Sequence, residues 1–156
     1  MSLNPFLAFL KTHSYLLRGR LHFPRNRIGE VLTMEDGQEF VIFRQVVVDP
    51  SPDHPEKPGA TFIVRFRFAH GSPKQNRLFS LFPIPFIVGL PGFRSKLWTI
   101  NESNGDFQGI YEWDTVPDAE NYAHSFPLKL MTKRSVPGSV FYEIIPNNSI
   151  KEYVHH

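Results

Sequence analysis

Two short stretches of this chain carry side chains whose types and spacing could do chemistry. Lys96, Trp98 and Ile100 alternate along one, and Phe107, Gly109, Tyr111 and Trp113 along the other. Residues two apart on an extended strand share a face, so each set projects from one side of its strand. If the two sets face the same way, Trp98, Tyr111 and Trp113 form an aromatic wall with a few polar handles. Such a wall suits a flat apolar or aromatic ligand, because small-molecule pockets are mostly apolar with few polar groups. The same residues also suit an ordinary aromatic core. Gly109, with no side chain, leaves room against the sheet where a ligand could approach.

Charged candidates surround these stretches. Lys96 and Arg65 could stabilise a developing oxyanion. Arg65 shares a strand face with Arg67, which reads as an anion or carbonyl clamp, or as a solvated or ion-paired face. His124 follows Glu120 by four residues, so the two can face each other on a helix. A histidine beside a carboxylate can act as a base near neutral pH, although an exposed ion pair is the plainer reading. His70 ends the first core strand, where it could border a pocket mouth, with a loop histidine as the default. No His-x-His, His-Glu-x-x-His or clustered carboxylate set appears, so no metal or other cofactor is expected. Gly89-Leu90-Pro91-Gly92 lacks the spacing of a phosphate loop, and Ser95 and Ser139 lack a nucleophile elbow.

Bulk properties narrow the classes. A chain of 156 residues, 41% hydrophobic with 15 phenylalanines, fits one well-filled domain. A net charge of +2 from 17 basic and 15 acidic residues is too balanced to imply nucleic acid or an anionic membrane. With no cysteine, disulfides and thiolate metal sites are excluded. The most apolar stretch, Leu78–Phe93, is crossed by Pro83, Pro85 and Pro91, so no membrane span is expected. Lys11 and His13 interrupt the N-terminal apolar residues, so no secretory signal is expected. A cytoplasmic location is the expectation.

The elements that must position the candidates follow in order. Asn4–Arg18 has helix-like apolar spacing, with Asn4 as cap and Pro5 at the first position. It reads as a helix docked on the domain or, given its rich apolar face, as an interfacial one. Ile28–Met34 and Glu39–Val48 flank Asp36-Gly37, the chemistry of a type I′ hairpin. Asp49–Gly59 carries four prolines and reads as a loop or linker. Thr61–Ala69 is a strand with Phe62, Val64, Phe66 and Phe68 on one face. Ser72-Pro73-Lys74-Gln75 opens a helix with a capping box. Pro83 and Pro85 then end or kink it, leaving Ile84–Leu90 as an irregular apolar segment. Arg94–Ile100 and Phe107–Trp113 form a hairpin around Asn104-Gly105. A helix capped by Thr115 puts Ala119, Tyr122, Ala123 and Phe126 on one face. Pro127 breaks it, and Leu128–Lys133 reads as its resumption. Ser139–Ile145 is the last strand, and Asn147–His156 a tail.

From Thr61 onward the order is strand, helix, strand, strand, helix, strand. That is the ferredoxin-like βαββαβ fold, an α+β antiparallel sheet with helices on one face. The division expected is residues 1–59 as a helix and hairpin extension, 60–146 as the core domain and 147–156 as a tail. One helical layer leaves the other face, with Ile63, Arg65 and either Leu97 or Trp98, poorly solvated. A second copy of the chain is expected to cover it.

Pro91-Gly92-Phe93, Lys96-Leu97-Trp98, Gly109-Ile110-Tyr111 and the helix around Ala119–Tyr122 together resemble the YdhR-type monooxygenases of the dimeric α/β-barrel superfamily. The resemblance spans roughly Thr61–Ile145. It implies a ferredoxin-like homodimer whose sheets share a barrel, and an oxidation of aromatic substrates without metal or flavin. Other members of the superfamily bind haem or act as isomerases.

Three functions follow as expectations. In the first, Trp98 and Tyr111 wall a substrate pocket, Arg65 or Lys96 stabilises an oxyanion, and His124 or His70 accepts a proton in a monooxygenase-like reaction. In the second, the same pocket binds a small ligand without chemistry. The third, RNA binding, shares the order of elements. However, Phe107–Asp114 is acidic and lacks the K/R-G-F/Y-G/A-F-V-x-F/Y run such a domain needs, so nucleic acid is not an expected partner.

Overall fold

Among the described residues seven strands form one sheet. The computed structural model describes residues 4–50 and 52–154. In chain order the elements are α1 (Pro5–Leu17), β1 (Leu21–His22), β2 (Val31–Thr33), β3 (Glu39–Val48), β4 (Ala60–Phe66), α2 (Pro73–Phe79) and α3 (Ile84–Val88). They continue with β5 (Phe93–Ile100), β6 (Phe107–Trp113), α4 (Val116–Ala123), α5 (Phe126–Lys133), β7 (Phe141–Pro146) and α6 (Ile150–Val154). The strand order is β1-β3-β5-β6-β4-β7, with β2 also on β3, and every pairing of these strands is antiparallel. Within it β5-β6-β4-β7 is the ferredoxin-like arrangement. The sequence-predicted α+β fold is the observed one.

The local chemistry explains the boundaries. Asn4 Oδ1 accepts from Phe6 N and Leu7 N at the start of α1, satisfying amides that have no partner within the helix. Ser72 and Gln75 close a capping box at α2. Thr115 caps α4. At the β5–β6 turn Gly105 has φ +80°, and Asn101 Oδ1 holds Ser103 N and Asn104 N. The β2–β3 turn differs from the expected type I′. Met34 N donates to Gln38 O, Gly37 N donates to Met34 O, and only Gly37, not Asp36, has positive φ. That is a three-residue loop ending in a left-handed glycine. Pro83 and Pro85 also do not leave 84–88 irregular: they start the short helix α3, where the missing amide hydrogens need no partner.

Two cores flank the sheet. On one face Phe62, Val64, Phe66, Trp98, Tyr111 and Trp113 pack under the helices. On the other, Ile63, Leu97 and Ile110 are buried against Leu32, Met34 and Ile150. The second face is therefore filled by the chain itself, by the β2 turn region and by α6, and not left bare as the element count had suggested. Residues 147–156, expected as a tail, include α6 through Val154.

Candidate functional site

Lys96 is the centre of the site. Its place on β5 turns it to the helical face, between Trp98 and its cross-strand partner Tyr111. The amine lies 4.3 Å from the centre of the Trp98 ring and 4.4 Å from that of Tyr111. Only 2% of the residue is exposed, and no carboxylate pairs with it among the described residues. Burial removes water from the ammonium form, and the Arg44 charge repels it, so the amine is held well below the ordinary lysine range. A lysine amine with a lowered pKa is available as a base and a nucleophile over more of the pH range than an ordinary surface lysine.

A small cavity opens onto this amine. Phe66, Phe68, Phe107, Met131 and Pro83 give it apolar walls, with Trp98 and Gly109 beneath. Lys96 is its only ionisable lining group. At about 20 Å³ it has room for one water, so a larger ligand requires the wall made by Phe79, Ser80 and Pro83 to move. Arg44 holds that wall. Its guanidinium donates to Ser80 Oγ (2.6 Å) and to Arg77 O (3.2 Å), and sits 5.4 Å from the Trp98 ring centre. The sequence reading missed Arg44, although a single arginine inside the apolar run Phe40–Val48 was a visible signal.

Tyr111 and Tyr122 share a buried hydroxyl–hydroxyl bond of 2.6 Å. Burial pushes both phenols up, and the neighbouring Tyr122 adds to the rise of Tyr111. Trp113 shares the face, stacking on Tyr111 and meeting Phe93 edge-on, but it does not line the cavity. Trp98, Tyr111 and Trp113 thus share one face, but of the three only Trp98 lines the cavity, and Tyr111 and Trp113 are buried in the core. Gly109 leaves less room than expected. A Cβ there would stand 2.8 Å from Tyr111 Cε1 and 3.2 Å from Lys96 Cε, so the space is already taken by the two residues of the site.

The other candidates lie elsewhere. Arg65 projects from the opposite face, where its guanidinium pairs with Asp36 and donates to Gln108 Oε1 at 2.8 Å. Strand alternation separates it from Lys96, so one oxyanion cannot meet both. Arg67 pairs with Asp106 at 2.7 Å. His124 is the exposed C-cap of α4 and makes no bond to Glu120. His70 is exposed in the loop after β4. Neither histidine lines the cavity. Among the described residues no group of three His, Cys, Asp or Glu could hold a metal ion.

No family model and no curated protein sequence matches the chain. Solved structures do. A ferredoxin-fold protein related to antibiotic-biosynthesis monooxygenases from Listeria monocytogenes aligns over 83% of this chain and 93% of its own, with TM-score 0.53 and 12% identity. The haem-degrading enzyme LmHde from Listeria monocytogenes aligns over 82% and 97%, with TM-score 0.52 and 14% identity. A monooxygenase-like protein from Listeria innocua aligns over 74% and 68%, with TM-score 0.51 and 15% identity. At such identities these likenesses establish the ferredoxin-like fold, which the chain shares with monooxygenase-like and haem-degrading proteins.

Proposed function

We propose that the chain is a monooxygenase-like protein that takes a flat apolar or aromatic substrate over Trp98 and uses Lys96 as its base. The observation that carries this reading is the amine of Lys96, buried beside two aromatic rings and lining an apolar cavity. The shared fold of monooxygenase-like proteins supports it. Oxygen accepts electrons from a carbanion or phenolate far more readily than from the neutral molecule, so the protein's task is to remove a proton. The amine takes a proton from an acidic carbon flanked by aryl rings. The Trp98 and Tyr111 faces then stabilise the ammonium formed, as π faces do for cations at such distances. The carbanion gives its electrons to oxygen. In balance, a methylene between two aryl groups and one dioxygen become a diaryl ketone and one water. The ammonium returns its proton to the departing water.

Within this reading the ordered Pro91-Gly92-Phe93, Lys96-x-Trp98 and Gly109-Ile110-Tyr111 set supports kinship with the YdhR-type proteins. A homodimer belongs to the same proposal. Its contact would fall on the edge strand β7, where Phe141 and Tyr142 are exposed, because β2 and α6 already fill the face opposite the helices.

The test is oxygen uptake with anthrone as substrate. Turnover by the native chain, lowered about 100-fold or more in Lys96→Met, supports the reading. Unchanged uptake in that variant removes Lys96 from the chemistry. A cavity with a single ionisable group also favours binding without turnover. Anthrone held at Trp98 with no oxygen consumed would establish that alternative.

A further inference from the structure

We propose that the surface built by α1, α3 and α5 is a docking surface for an anionic membrane. The first observation is the way α1 sits. Its inward residues are Ala8, Thr12 and Tyr15, one of them small and two polar. Thr12 Oγ1 lies 2.6 Å from Pro85 O. Gly89 packs so closely that a Cβ there would stand 1.8 Å from Ala8 O. Close approach through this face turns the larger apolar residues outward. Phe6 is 66% exposed, Leu16 60% and Leu17 87%. A helix docked for its own burial would do the reverse.

These side chains continue into a wider apolar surface. Phe9 meets Phe86 at 5.6 Å, and Phe86 meets Phe82 at 5.7 Å and Phe126 at 5.4 Å, joining α1, α3 and α5. Phe82 is 55% exposed and Leu81 47%. A groove lined by Leu16, Leu21, Phe23 and Leu81 extends the surface toward β1. Contiguous apolar exposure of this kind marks an interaction site.

Charge selects the occupant. Residues 4–29, 70–90 and 124–138, which carry α1, α2, α3 and α5, hold ten of the 17 lysines and arginines but none of the 15 carboxylates, while the neighbouring α4 carries Asp118 and Glu120. At the border of this surface Glu30 pairs with Arg27, Asp49 with His22, and Glu102 with Arg77. The near-neutral total hides this segregation, which is why the whole-chain charge pointed away from membranes. A second copy seated by a two-fold axis would set the patch against itself, cation against cation. An anionic bilayer offers what the face lacks: negative headgroups for the basic residues and acyl chains for the exposed Leu and Phe. No helix among the described residues is long and apolar enough to cross a membrane, so the attachment is peripheral.

The test is co-sedimentation of the full chain with vesicles. Phosphatidylcholine vesicles containing about one third phosphatidylglycerol should carry down about tenfold more protein than pure phosphatidylcholine, and high salt should release it. The double substitution Leu16→Glu, Leu17→Glu, at positions more than half exposed, should lower that binding about tenfold or more. The lipid and salt response of the native chain is a second readout that does not depend on the variant folding. Equal recovery on both vesicles, or no recovery at low salt, overturns the proposal. So does a dimer in solution that the double substitution converts to monomer, since a second copy would then be the occupant. None of these outcomes involves oxygen uptake, so the proposal stands or falls apart from the catalytic reading.

Discussion

Lys96 and Tyr111 are direct cross-strand partners, and the amine of one lies 4.4 Å from the ring centre of the other. Burial acts on the two in opposite senses. It favours the neutral lysine by lowering its affinity for a proton, and favours the neutral phenol by raising that affinity.

The pH dependence of stability follows. The unfolded lysine binds its proton up to about pH 10.4, while the folded one has released it well below that. Between these limits the unfolded state holds more protons, so stability rises with pH and falls as pH drops toward the folded pKa. Tyr111 and Tyr122 act above about pH 10, where the unfolded phenols ionise and the folded ones do not. There the unfolded state holds fewer protons and stability declines. Urea unfolding of the native chain should therefore give a maximum near pH 10. Lys96→Met should flatten the rise below it and gain about 1–3 kcal/mol at pH 7, as a buried ionisable group gives way to an apolar one.

The tyrosine pair predicts non-additivity. Tyr111→Phe or Tyr122→Phe alone leaves one buried hydroxyl without its partner, at a cost of about 1–3 kcal/mol. Replacing both removes the two groups together and should cost less than the sum. A double-mutant cycle by chemical denaturation measures the difference; strict additivity would mean that the 2.6 Å bond contributes nothing.

Much of this was legible in the chain. Alternation within Lys96–Ile100 and Phe107–Trp113 put Trp98, Tyr111 and Lys96 on one face, and strand geometry made that face common. The capping residues Asn4, Ser72 and Thr115 acted locally, and local chemistry survives folding. What escaped the reading depended on distant contact. Nothing near Arg44 shows that β3 joins the edge of β5, which brings its guanidinium to Ser80. Nothing near Arg65 shows that the β2 turn carries Asp36 back to it. Gly92 has a φ of +78°, and its second constraint is tertiary: a Cβ there would run into the Asp118 carboxylate. The tail was unreadable for the same reason, since Ile150 is buried only because Ile63, Leu97 and Ile110 need a cover.

Arg44 should set the working pH of the site. Its charge is one of the two causes that lower the Lys96 pKa, so Arg44→Gln should raise that pKa. The acid limb of the oxygen-uptake profile then moves to higher pH, because the amine is protonated over more of the range. The same change removes the guanidinium's bonds to Ser80 and Arg77, freeing the cavity wall and speeding ligand entry. A profile that does not move would show that desolvation alone sets the amine.

Gly89 decides whether α1 stays in place. A methyl group there meets the Ala8 backbone, which is not the flexible end of a side chain and cannot step aside. Gly89→Ala should therefore displace α1 at a cost of about 2–4 kcal/mol, by overpacking and by loss of the Thr12–Pro85 bond. Limited proteolysis should then cut first within 4–20, leaving a fragment that begins near β1, where the native chain resists. Thr12→Val breaks the hydrogen bond at nearly constant size and should loosen the helix by less, about 1–2 kcal/mol. Equal resistance in both variants would mean that contacts of Tyr15, and not the seam between Ala8 and Gly89, hold the helix to the domain.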